Sequence, residues 1–110
     1  MSILHANSLY AKAQCDMDYS KYVEGNSRYV PCTLTASLGD VEELANAIVS
    51  YVCEFTRSQG LIKADVKGGV IEVKIYEGIM NTGYSIGEVV YRVLNFIDGY
   101  VECLRHGARK

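Results

Sequence analysis

The chain has no tryptophan, a single proline and only two histidines, and none of its apolar runs approaches the roughly 20 residues a membrane-spanning helix requires. The last shortage excludes a transmembrane helix. The scarcity of histidine narrows chemistry: His5 and His106 lie near opposite ends, and Cys15, Cys32, Cys53 and Cys103 form no CxxC pair, so the spacing is poor for zinc. A Cys15 or Cys103 thiol beside a histidine is the one nucleophilic pairing left open. No metal, cofactor or catalytic set is expected. The opening stretch MSILHANSLYAKAQ has no basic start followed by a long apolar segment, which predicts no secretory signal, reduced thiols and a cytoplasmic chain.

Excess charge is lacking too. Eleven Lys and Arg against thirteen Asp and Glu give a net charge of -2 over 110 residues, with no reason to expect a polyanion as partner. The only basic cluster, Arg105, His106, Arg109 and Lys110, is expected to complement the negative end of a final helix, which leaves nucleic-acid binding as the third functional option. The stretch GIMNTGYS, residues 78–85, spaces its glycines as a phosphate loop does but places Tyr84 where that loop needs lysine. It is expected to be a strand exit and helix start, with Gly83, Tyr84 and Ser85 as a weak anion-site candidate.

An apolar fraction of 49% is ordinary for a globular chain, and the length suits one domain. Leu9, Ala11, Ala13, Cys15 and Met17 alternate with polar residues, and Val30, Cys32, Leu34 and Ala36 do the same, so each run predicts a half-buried strand. EGNS lies between two tyrosine-containing runs and predicts a turn. Pro31 lacks an amide proton, which predicts an edge position or a bulge for its strand. In LIKADVKGGVIEVKIYE a two-residue turn at Gly68 and Gly69 sets Val66 against Ile71, Ala64 against Val73 and Ile62 against Ile75. A one-residue slip would break that apolar face. On the other face Lys63 is then diagonal to Glu72 and Asp65 to Lys74, two pairs of opposite sign.

Val41, Leu44, Ala45, Ile48, Val52 and Phe55 predict a helix over 40–59, and Ile86, Val89, Val90, Val93, Ile97, Val101 and Leu104 a second over 86–106. Gly60 and Gly107 are the expected stops. SLGDV at 37–41 and SIGEV at 85–89 both read as capping boxes. That echo continues along both helices and suggests half-repeats 1–60 and 61–110, a ββαββα arrangement. The expected fold is α+β: an antiparallel sheet with two long helices on one face.

Tyrosine is abundant, at nine residues. Its large, rigid ring with a polar tip suits binding surfaces, so Tyr10, Tyr19, Tyr22 and Tyr29 in the N-terminal β region are the candidate protein-binding residues. Tyr91 and Leu94 widen the apolar surface of the second helix and are the candidate homodimer interface, with an open sheet edge as the other route to a homodimer. With catalytic sets missing, the leading expectation is a small non-enzymatic regulator or inhibitor that binds another protein. Accessory proteins of viruses or mobile elements are often of this size. The alternative is a small-ligand sensor or enzyme using a pocket between sheet and helices.

Overall fold

The computed structural model describes residues 3–107. Strands β1 (Ile3–Asn7), β2 (Ala11–Asp16), β3 (Val23–Glu24) and β4 (Ser27–Ala36) precede helix α1 (Glu42–Thr56), and β5 (Ile62–Lys67) and β6 (Val70–Tyr76) precede helix α2 (Ile86–Gly107). The strands form one antiparallel sheet in the order β1-β2-β4-β6-β5, with β3 paired to the start of β4. Alternation decides which face is covered. Ala11, Ala13, Cys15, Val30, Cys32, Leu34, Ile62, Ile71, Val73 and Ile75 are buried on one side, in a single core cluster with Leu44, Ile48, Val52, Val89, Val93 and Ile97 of the helices. Each fully buried aliphatic side chain contributes roughly 1.5–3 kcal/mol relative to exposure, so this face holds the fold.

Both helices lie on that face, as the alternation predicts. α1 packs over β5, whereas α2 packs over β2 and β1. Each helix therefore crosses to the hairpin contributed by the other half of the chain, and β4 and β6 form the central antiparallel pair. The β5–β6 register is the expected one, with Val66 opposite Ile71, Ala64 opposite Val73 and Ile62 opposite Ile75. Gly68 and Gly69 have φ of 59° and 78°, the pair of left-handed residues that a tight two-residue hairpin turn demands.

Several expectations are corrected. β4 is a central strand despite Pro31. The Tyr29 amide donates to the Tyr22 carbonyl, so by strand parity the nitrogen of Pro31 faces the same edge. There the ladder lapses between β2 and β3, across a short 3-10 helix at Tyr19–Lys21, and no donor is required. α1 starts later than SLGDV implies: Asp40 Oδ1 accepts the Glu42 amide at 3.0 Å, and Ser37 instead gives its amide to the Tyr10 carbonyl. α1 also ends before Gly60, at Arg57 in the left-handed region with φ of 56°. At α2 Ser85 Oγ does accept the Glu88 amide, at 3.1 Å, so the two helix starts are built differently. Leu94 is only 1% exposed and belongs to the core.

Cys15 and Cys32 are directly opposite on β2 and β4 and are joined by a disulfide. The reduced-thiol expectation is overturned for this pair, and the cytoplasmic expectation loses that support. Cys53 and Cys103 are free. The bridge closes the segment that carries Asp16, Tyr22, Glu24 and Tyr29, so it staples the base of the β3–β4 hairpin.

A second tie fixes the β1–β2 turn. Asp98 of α2 accepts the Ser8 hydroxyl at 2.8 Å, the Leu9 amide at 3.1 Å and the Tyr10 amide at 2.9 Å. Burial pushes the Asp98 carboxyl up, but the Tyr10 amide, the Ser8 hydroxyl and the Leu9 amide together hold it below the ordinary value. Tyr10 Oη donates to Glu102, and the Arg105 guanidinium lies 4.5 Å from the Tyr10 ring centre.

For a bridge spanning 17 residues, reduction is expected to cost about 3 kcal/mol of unfolding free energy. Urea unfolding with and without a reductant measures it. Identical midpoints would contradict the bond.

Candidate protein-binding face

Among the described residues, no helix lies on the sheet's other face. The pairs Tyr29–Tyr76, Pro31–Lys74 and Thr33–Glu72 on β4 and β6, and Lys63–Lys74 and Asp65–Glu72 on β5 and β6, set these side chains side by side on it. Of the six lysines, Lys12, Lys63, Lys67 and Lys74 stand on its strands and Lys21 on the adjoining 3-10 helix. α1, by contrast, carries Glu42, Glu43 and Glu54 and no lysine or arginine.

Three tyrosines form a row at one end of this face. The rings of Tyr22 and Tyr29 are 5.8 Å apart between centres, as are those of Tyr29 and Tyr76, all tilted against each other. Each carries a lysine: the Lys21 ammonium lies 5.6 Å from the Tyr22 ring centre, Lys74 4.9 Å from Tyr29 and Lys63 5.7 Å from Tyr76. Tyr22 is anchored by its hydroxyl, which donates to Asp16 Oδ2 at 2.7 Å. The Tyr22 hydroxyl first, and the Asp18 amide second, hold the Asp16 carboxyl below the usual range. Asp16, bonded by the Tyr22 hydroxyl and the Asp18 amide, is thus part of the scaffold for the row.

Glu24 closes the arrangement. Oε1 accepts from Lys63 Nζ at 2.8 Å and from the Tyr76 hydroxyl at 2.8 Å, and Oε2 accepts from Lys74 Nζ at 2.7 Å. The expected diagonals of Lys63 with Glu72 and Asp65 with Lys74 do not form ion pairs; Glu72 meets Lys67 at 3.9 Å, and both central lysines turn to Glu24. Two lysines directly opposite one another repel, and a carboxylate shared between them removes the conflict. The Lys63 ammonium first, then Lys74 and the Tyr76 hydroxyl, lower the Glu24 carboxyl to about 2.

Of the tyrosines expected to bind, Tyr22 and Tyr29 come together on the open face. Tyr10 is engaged by Glu102 and Arg105 on the helical side, and Tyr19 packs against the core. Tyr76, Lys63, Lys74 and Glu24 complete the site but carry no motif in the sequence. Tyr91 is 56% exposed on α2, away from the buried Leu94. At the weak anion candidate, the Gly83 amide points to the Met80 carbonyl at 3.4 Å and Ser85 Oγ serves the Glu88 amide. Tyr84 packs edge-on against Phe55, with Arg92 5.0 Å from its ring centre, so it belongs to the seam between the helices. Cys15 is buried on the inner face and His5 is exposed on the outer one, so the sheet separates them. Arg109 and Lys110 lie outside the described residues. Between sheet and α2, the cavity lined by Cys32, Leu34, Ile62, Val73, Ile75, Val90 and Val93 measures about 10 Å³, too small for a ligand. No helix among the described residues is long and apolar enough to cross a membrane.

The pH dependence of Glu24 follows from its lowered value. An unfolded chain takes up the proton near 4.5 and the folded one near 2, so the stabilisation is complete above about 4.5 and is lost as pH falls to about 2. The melting-temperature difference between the wild type and Glu24→Gln is expected to stay constant from neutral pH down to that window and to shrink across it. A difference unchanged at the acid end would contradict the shared carboxylate. No protein-family model, curated protein or solved structure matches the chain.

Proposed function

We propose that this chain is a non-enzymatic protein-binding module, a regulator or inhibitor, that docks its partner on the open face of the sheet. The observation that carries the reading is the half-buried pair Tyr22 and Tyr29, backed by Tyr76, which is itself buried, and lined by lysines on a face that neither helix covers. Aromatic rings with polar tips give a large contact area at low conformational cost, and a sheet braced by two helices presents them rigidly. The polar strip beyond them, with His5, Asn7, Lys12, Gln14, Thr33 and Thr35, borders an open recess of about 190 Å³. It extends the surface a partner can cover.

The interior offers the alternative little support, since the volume between sheet and α2 is that of about one water. Of the two residues expected at an α2 interface, Leu94 is in the core and Tyr91 remains exposed, as is Leu104, which the apolar stripe predicts to lie inside.

A photo-crosslinking residue at Thr33, on the open face, is expected to yield a discrete crosslinked species in extract of the source cells. The same group at Ser50, exposed on α1, is expected to yield none. Crosslinks from Ser50 alone, or from neither position, would contradict this face as the docking surface.

A further inference from the structure

The open face has a chemical preference, and the way Glu24 is held reveals it. Lys63 and Lys74 stand opposite each other on neighbouring strands, and with the Tyr76 hydroxyl they present three donors to a single carboxylate. That is a complete receiving site for one carboxylate group. Its occupant comes from the chain's own hairpin. β3 is only two residues long, Val23 beside Glu24 is 57% exposed, and the Glu24 side chain is itself 40% exposed. An exposed ion pair on a short hairpin is cheap to exchange, because water and salt already screen it.

Resting on the reading of this face as a protein-docking surface, we propose that Lys63, Lys74 and Tyr76 form a carboxylate-binding site occupied in the free protein by Glu24, and that an acidic segment of the partner docks by replacing it. Charge complementarity selects this occupant: Lys63 and Lys74 stand opposite each other with only Glu24 between them, whereas Lys21 keeps Asp16 at 3.9 Å. The same placement disfavours single-stranded nucleic acid. Stacking needs free ring faces, whereas each ring of the tyrosine row has an ammonium over it and is tilted against its neighbour. Glu24 then acts as a tethered competitor that keeps the lysine pair neutralised until a multivalent acidic chain arrives.

The test titrates the full chain with a fluorescein-labelled oligoglutamate peptide, alongside citrate and a single-stranded oligonucleotide. If Glu24 fills the site nine-tenths of the time, Glu24→Gln is expected to bind the peptide about tenfold more tightly than the wild type. Lys63→Gln with Lys74→Gln is expected to abolish binding. Since Glu24→Gln leaves the two lysines facing each other, the wild type supplies a second readout: the Glu24 carboxyl carbon resonance is expected to move as the peptide saturates the site. Peptide binding that leaves this resonance in place, or that persists without both lysines, would overturn the proposal. So would equal affinity for citrate or for the oligonucleotide. A Thr33 crosslink to a protein partner together with no binding of oligoglutamate would leave the docking face standing and remove its acidic specificity.

Discussion

A sheet has two faces, and this chain supplies helices for only one of them. Both α1 and α2 carry a continuous aliphatic stripe, and the inner residues of β2, β4, β5 and β6 offer the matching apolar layer. Burying one stripe against one layer is the dominant stabilising term available to a chain of this size. Because each helix crosses to the far hairpin, the central pair β4–β6 is clamped from both halves of the sequence. The consequence is positional: the polar residues of the alternating strands are turned to the other side, which neither helix covers.

That open face is not uniformly polar. At one end it gathers Tyr22, Tyr29 and Tyr76, and the chain takes some trouble to position them. The Cys15–Cys32 disulfide closes the base of the segment that bears Tyr22 and Tyr29, Asp16 holds the Tyr22 hydroxyl, and Glu24 ties the hairpin to β5 and β6 through the two lysines. These restraints differ in kind. The disulfide and the strand ladder are local and strong, whereas the Glu24 contacts are exposed and electrostatic, so they are the contacts that salt or a competing anion reaches first.

Much of the scaffold is legible in the sequence because it rests on periodicity. The two helices, the inward strand residues and the β5–β6 register follow from apolar spacing and from two adjacent glycines. The misreadings come where one residue can satisfy two rules. Pro31 argues for an edge, yet a central strand accommodates it where the ladder has already lapsed. Ser37 has the spacing of a cap, but the cap position of α1 lies four residues later at Val41, where no side chain caps it and Asp40 accepts only the Glu42 amide. Leu94 follows Tyr91 by three residues, yet the helix rotation between them carries it from the surface into the core.

The candidate site is half legible. Tyrosine density points to Tyr22 and Tyr29, but it points equally to Tyr10, which Glu102 holds, and to Tyr19, which meets the core. Lys63 opposite Lys74 is implicit in the register, and two like charges face to face are a signal that an anion must come from elsewhere. Which anion is a matter of tertiary structure, since Glu24 lies 39 and 50 residues away from its two partners.

Methyl-resolved nuclear Overhauser spectroscopy tests one-sided burial most directly. Val90 and Val93 of α2 share a cavity lining with Ile62 and Val73, so cross-peaks among these methyls are expected, while the Thr33 and Thr35 methyls should show none to either helix. Helix cross-peaks from Thr33 or Thr35, or their absence between α2 and the inner strand residues, would contradict the open face.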